Sequence, residues 1–297
     1  MKNDFIIDHD IYFVGKDIDN QYITTKEVQS IILKGLIEID RICRKNNIPY
    51  ALSYGTCLGL YNYGGFIPWD DDADVIINYE DVDRFIKACD KDLDDNNFIL
   101  CCYEKDKKYN IQVPTFKLKI KNTYLKENTP FISNRIKNTD LFFIDICTFM
   151  GCPDNEKEYL EALKPAKRRM IQYCILDSIF KIHPYHMKKV LKKYERDFYL
   201  KYKDSKFVSQ TPILPYQQFT NLKHGYIYPK EVIYPFKEYD FMGHKFYSFN
   251  NIEEFLKINY GKDCLKKKDE NGNYFESFPK ERRKPSHLKR FSTRRSK

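Results

Sequence analysis

The sequence has 297 residues, 42% hydrophobic and 16% aromatic, which excludes a disordered chain and suffices for a full core. Its formal net charge is +9, but residues 279–297 hold nine Lys or Arg against Glu281 alone, leaving +1 for the remainder, so no basic field typical of a nucleic-acid binder covers the chain. No apolar run reaches membrane-spanning length and the start Met1-Lys2-Asn3-Asp4 is not a secretory signal, which predicts a cytoplasmic protein. Nine cysteines without paired-motif spacing read as reduced thiols in a core rather than as a zinc site.

Residues 1–23 show no clear period and are expected to form a surface arm. From Thr24 or Thr25 a helix is predicted. Glu27 stands three residues after Thr24, a capping-box spacing, and Val28, Ile31, Ile32, Leu36, Ile39 and Ile42 recur at helical intervals. A strand follows at 50–54, then a turn at Gly55-Thr56, where small residues let backbone N–H groups approach a phosphate. After a short helix comes Pro68-Trp69-Asp70-Asp71-Asp72-Ala73-Asp74, leading into the apolar run Val75-Ile76-Ile77.

Asp72 and Asp74 are two apart on a predicted strand, so both carboxylates point to one face. Like charges so placed repel unless a cation lies between them, and hard oxygen donors suit Mg²⁺. A calcium loop is excluded: counting from Asp70, the sixth position is Val75 rather than Gly and the twelfth is Asp81 rather than Glu. The spacing therefore points to metal-dependent phosphoryl chemistry rather than to a solvated acidic loop.

Residues 79–93 read as an amphipathic helix, and 98–103 and 112–120 as paired strands. In the second of these Lys117, Lys119 and Lys121 alternate with apolar residues, the pattern of a half-exposed strand. Residues 141–147 form a nearly continuous apolar strand interrupted by Asp145. A carboxylate there needs a partner, either a buried salt bridge or a metal shared with Asp72 and Asp74. Helices are predicted at 156–176 and 186–202, with Arg168, Arg169, Lys188, Lys189, Lys192 and Lys193 on solvated faces, and His183 and His186 as loop residues.

Gly55-Thr56-x-Leu58-Gly59, followed by Gly65-Phe66-Ile67-Pro68-Trp69-Asp70-Asp71-Asp72-x-Asp74-Val75, resembles the signature of the LicD family. Phe116-Lys117 with Thr123 six residues on, Phe143-Ile144-Asp145-Ile146, and a late block ending Tyr260-Gly261-Lys262-Asp263 extend the resemblance over roughly residues 24–287. The resemblance implies an α/β nucleotidyltransferase-type mixed sheet over 24–150, a helical and hairpin-containing part over 151–278, and a basic tail at 279–297. It implies transfer of a phospho-alcohol, phosphorylcholine from CDP-choline by default, onto a hydroxyl of a glycan or glycolipid, releasing CMP. One or two Mg²⁺ ions (or Mn²⁺) would be held by Asp72, Asp74 and Asp145, with Lys117 neutralising donor charge. Gly55, Thr56, Trp69 and Asp71 would bind the nucleotide donor. No specific nucleic acid is expected. The tail reads as a solvated extension that could attract anionic lipid head groups and hold the protein peripherally at a membrane. One departure stands out: the family commonly has Arg-His where this chain has Asn62-Tyr63, and Asn cannot act as a phosphate fork. Alternative readings are nucleotidyl transfer to RNA, resting on the tail alone, and an inactive glycan- or nucleotide-binding relative, resting on Asn62.

Overall fold

The computed structural model describes residues 13–16, 22–106, 116–125, 141–180, 185–214, 226–268 and 274–275. Residues 112–115, His183 and the basic tail lie outside them. Part of the expected arm is sheet: β1 (Phe13–Lys16) pairs antiparallel with β2 (Tyr22–Thr24). Helix α1 (Thr25–Lys45) then starts at the capping box: the Thr24 N–H donates to Glu27 Oε2 at 2.7 Å and the Glu27 N–H donates back to Thr24 Oγ1 at 3.4 Å. Such a cap is worth about 1 kcal/mol. Val28, Ile32, Leu36, Ile39 and Ile42 form its inner stripe and are at most 1% exposed, each contributing about 1.5–3 kcal/mol by burial.

The remaining elements up to the hub strand are β3 (Tyr50–Leu52), α2 (Tyr54–Tyr63), β4 (Asp74–Asn78), α3 (Val82–Asp92), β5 (Phe98–Cys102), β6 (Phe116–Ile120), β7 (Tyr124–Leu125) and β8 (Phe143–Gly151). Strand β7 pairs with β1. The sheet is organised by β8. On one edge β8 pairs in parallel with β4, which pairs antiparallel with β3. On the other edge its first half pairs antiparallel with β6, and β6 with β5. Side chains on both faces of β8 are covered: Ile144, Ile146 and Phe149 are at most 1% exposed.

Beyond β8 lie α4 (Glu156–Ser178), α5 (Tyr185–Tyr202), β9 (Phe207–Gln210) and β10 (Tyr228–Pro229). Strand β9 pairs with the second half of β8, and β10 with β9, so chain from after residue 150 continues the same mixed sheet. The expected hairpin is β11 (Lys237–Phe241) with β12 (His244–Ser248), and α6 (Ile252–Tyr260) follows it. None of the nine cysteines is in a disulfide, and all but half-buried Cys101 are buried. Burial pushes the Cys57 and Cys89 thiols up to about 12, so they pack as small apolar groups.

Four expectations need correction. Gly55 and Thr56 lie in the first turn of α2 rather than in a turn before it, because Ser53 already takes the N-cap position. Strand β4 begins at Asp74, so Asp72 precedes the strand instead of sharing it. Strand β6 is buried throughout, because it is an inner strand between β5 and β8; Lys117 and Lys119 are each 3% exposed. Lys188 is fully buried with its Nζ 5.1 Å from the Tyr103 ring centroid, and Lys192 pairs with Glu104 and Glu195, so neither is on a solvated face.

Helix α2 approaches the chain after it so closely that a Cβ on Gly59 would lie 2.4 Å from Gly65 O and 2.8 Å from Ile67 N. Both are backbone atoms that cannot rotate away. Gly59→Ala is therefore expected to cost about 1–3 kcal/mol, seen as a lower Tm. A raised Tm, the usual result for Gly→Ala within a helix, would contradict this close approach.

Candidate functional site

Three neighbouring strands bring one residue each into a single row. Asp74 of β4 stands in register with Asp145 of β8, and Asp145 with Lys117 of β6. Adjacent strands are about 4.8 Å apart, so register partners present side chains side by side on one face. Lys117 Nζ is 3.1 Å from Asp145 Oδ1, with the lysine side chain 4% and the aspartate side chain 16% exposed. The same Nζ sits 3.0 Å from the Phe143 ring centroid, where the ring face favours a cation. Removing one charge of such a pair leaves the other desolvated, a loss of about 3–5 kcal/mol.

The acidic segment before β4 is fixed from three directions. From α1, buried Gln29 donates through Nε2 to Ile67 O at 3.0 Å and to Asp70 O at 2.7 Å. From α2, Thr56 Oγ1 accepts the Asp74 N–H at 2.8 Å, and the Ser53 N–H donates to Asp74 O at 3.0 Å. From β8, the Asp145 N–H donates to Ala73 O at 2.9 Å. Thr56, 1% exposed, thus acts on the site by holding the Asp74 backbone. Asp70, Asp71 and Asp72 each offer a carboxylate oxygen, and these lie within 4.8 Å of one another.

Gly55 supplies the open side of this arrangement. A Cβ there would lie 3.0 Å from Asp70 Oδ2 and 4.0 Å from Asp74 Oδ2, so both carboxylates face its bare Cα. Tyr54, immediately before it, has φ +43°, a left-handed conformation that costs a tyrosine about 1–3 kcal/mol. The Tyr54 hydroxyl donates to Gln210 Oε1 of β9 at 3.1 Å, which holds that strained turn in place. Among the described residues the carboxylate oxygens that lie together are those of Asp70, Asp71 and Asp72, donors of the type a hard divalent cation takes, while Asp74 and Asp145 stand in the neighbouring strand row outside that cluster.

Other side chains frame the site. Trp69, 9% exposed, packs edge-on against Tyr63 at 6.3 Å, and Lys266 Nζ lies 3.8 Å from the Tyr63 ring centroid. Asp71 is 1% exposed. Asn62 does not face a ligand as an arginine would: its Nδ2 donates to Cys264 O and its Oδ1 accepts the Lys266 N–H, both at 3.0 Å. Tyr260 closes α6. Although 44% of this residue is exposed, its hydroxyl is held well above the usual phenol range, first by desolvation and then by the charges of Asp74 and Asp70.

Sequence reasoning missed Gln29, Tyr54 and Tyr260. Gln29 had a signal, a polar side chain on the apolar stripe of α1. Tyr54 had none, since backbone strain leaves no mark in composition. Tyr260 belonged to the late block, which only the fold brings against α2.

The fold and site together define a sheet that displays carboxylates at the mouth of a strand-to-helix turn. Residues 47–172 match the family model described as LicD/FKTN/FKRP, nucleotidyltransferase domain, a span that holds the whole Asp74–Asp145–Lys117 row. The chain is also 24% identical over 289 residues to lipopolysaccharide cholinephosphotransferase LicD of Haemophilus influenzae (strain ATCC 51907 / DSM 11121 / KW20 / Rd), covering 90% of this chain and 97% of that protein. These two findings place the matched segment in the LicD family, as the motif around Asp70–Asp74 led one to expect.

Gln29→Leu keeps the size of the side chain but leaves two carbonyls without their donor. It is expected to cost about 1–3 kcal/mol in stability and to speed amide exchange at residues 67–74, with helix content unchanged. Wild-type Tm and exchange in this variant would contradict the role given to Gln29.

Proposed function

We propose that this chain transfers phosphorylcholine from CDP-choline to a hydroxyl of a lipopolysaccharide-type glycan, releasing CMP. The observation that carries the reading is the register row of Asp74, Asp145 and Lys117 beside the Asp70–Asp72 segment. The name of the Haemophilus influenzae relative supports the choline group and the acceptor class.

Asp72, Asp74 and Asp145 would hold Mg²⁺ or Mn²⁺, and the cation when bound supplies positive charge against the diphosphate of the donor. The chain's own residues do the rest. Gly55 leaves room beside the carboxylates for a phosphoryl oxygen, which any larger residue would fill. Lys117, fixed between Asp145 and Phe143, offsets the negative charge of the departing nucleotide. A carboxylate of the set accepts the proton of the acceptor hydroxyl. The hydroxyl oxygen bonds to the phosphorus distal to cytidine, and the bond from that phosphorus to the CMP oxygen breaks.

Asp74→Asn and Asp145→Asn should each lower CMP release from CDP-choline in the presence of a glycan acceptor by about 100-fold or more; the Asp74 variant should keep the wild-type Tm, whereas the Asp145 variant should show a lower Tm because Lys117 loses its partner. Chelation should abolish turnover and added Mg²⁺ should restore it. Asp90→Asn, far out on the surface with its side chain 52% exposed, serves as the control and should be silent. Undiminished CMP release in the Asp74 and Asp145 variants would overturn the assignment.

A further inference from the structure

Helices α4 and α5 bury Met170, Tyr173, Cys174, Met187 and Leu191 against each other and the end of the sheet, yet their outer side is not an ordinary solvated face. A groove runs between them, lined by Arg169, Gln172, Ile175 and Leu176 on α4 and by His186, Met187 and Val190 on α5. Large apolar side chains stand open in it and just past the end of α4: Ile175 is 41% and Val190 44% exposed in the groove, and Ile179 65% and Phe180 61% exposed beyond the helix. Single exposed apolar residues are normal, but several along one groove mark a contact surface.

Exposed cations border the groove: Lys167, Arg168 and Arg169 on α4 and Lys189 on α5. Positions 168, 172, 175 and 179 follow at helical spacing, so Arg168 shares a stripe with groove-lining Gln172 and Ile175 and with Ile179. Position 189 lies one turn beyond His186 on α5. Among the described residues the ion pairs on these helices engage Lys164, Lys192, Lys193 and Arg196, and none engages Arg168, Arg169 or Lys189.

We infer that the α4–α5 face docks onto an anionic lipid bilayer. An apolar strip flanked by cations is the arrangement that lies in the interface of a membrane, with each cation adding attraction to acidic head groups. A second copy of this chain fits poorly, because a two-fold contact would set the same cations against one another. Among the described residues no helix is long and apolar enough to cross a membrane, so attachment through this face is peripheral. The inference rests on the proposed function in one respect, that a glycolipid acceptor resides at such a surface.

The test is flotation of the full chain with vesicles of phosphatidylcholine, with and without phosphatidylglycerol. Binding is expected only with the anionic lipid, falling as salt is raised. Arg168→Gln with Lys189→Gln should weaken it by about 25-fold, from about five-fold per cation. Ile179→Ser with Phe180→Ser should weaken it at unchanged charge; these side chains are exposed, so both variants should fold. Deletion of residues 279–297 should leave binding that still responds to the same substitutions. Absence of binding, binding unchanged in both variants, or binding lost with residues 279–297 alone would overturn the inference. So would a dimer in sedimentation that the same substitutions dissociate, since that would give the face to a second copy. Phosphorylcholine transfer to a water-soluble acceptor should be equal in wild type and both variants. If wild type binds vesicles but transfers nothing, the proposed function fails while the docking face stands.

Discussion

A carboxylate in the middle of an apolar strand needs an opposite charge, and much of this structure follows from where that charge comes from. Asp145 interrupts β8, the strand that every other strand of the main sheet reaches directly or through one neighbour. Desolvating one ion costs several kcal/mol, so Asp145 and Lys117 are tolerable only together. Their pairing requires β6 to lie beside β8 in one register, Lys117 opposite Asp145. The parallel pairing of β4 on the other edge then sets Asp74 beside the same carboxylate. A slip by one residue would turn each of these side chains to the opposite face. The salt bridge and the candidate metal centre are thus not rival accounts of Asp145; the first fixes the register on which the second depends.

The second half of the chain completes the site. Gln210 of β9 holds Tyr54, the Tyr234 hydroxyl donates to Asn78 Oδ1 at the far end of β4 at 2.6 Å, and Ser248 of β12 donates to Leu52 O at 2.9 Å. Asn62 ties α2 to the segment after α6. Asn62 is therefore a structural clamp here rather than the charged group that the sequence resemblance led one to look for.

Local physics made several features legible in the sequence. The capping box of α1, its apolar stripe, the apolar run after Asp74 and the lone acid in β8 all follow from neighbours a few residues apart. Pairing was less accessible. That Lys117 lies inside the sheet depends on β5 and β8 flanking it, and an alternating pattern cannot reveal two flanking strands. The burial of Lys188 between aromatic rings is likewise a matter of packing between α5 and residues near Tyr103. The position of Asp72 just before β4 shows the same limit, since strand ends are set by partners; here β3 and β8 begin pairing at Val75 and Asp74.

The most direct measurement is anomalous diffraction from crystals soaked in Mn²⁺. The account predicts a peak bounded by the carboxylates of Asp74 and Asp145, with Asp72 or Asp70 completing the oxygen set and Lys117 still paired to Asp145. A peak confined to Asp70, Asp71 and Asp72 and out of reach of Asp145, or none at all, would contradict the claim that the register row of β4, β8 and β6 is the reactive centre.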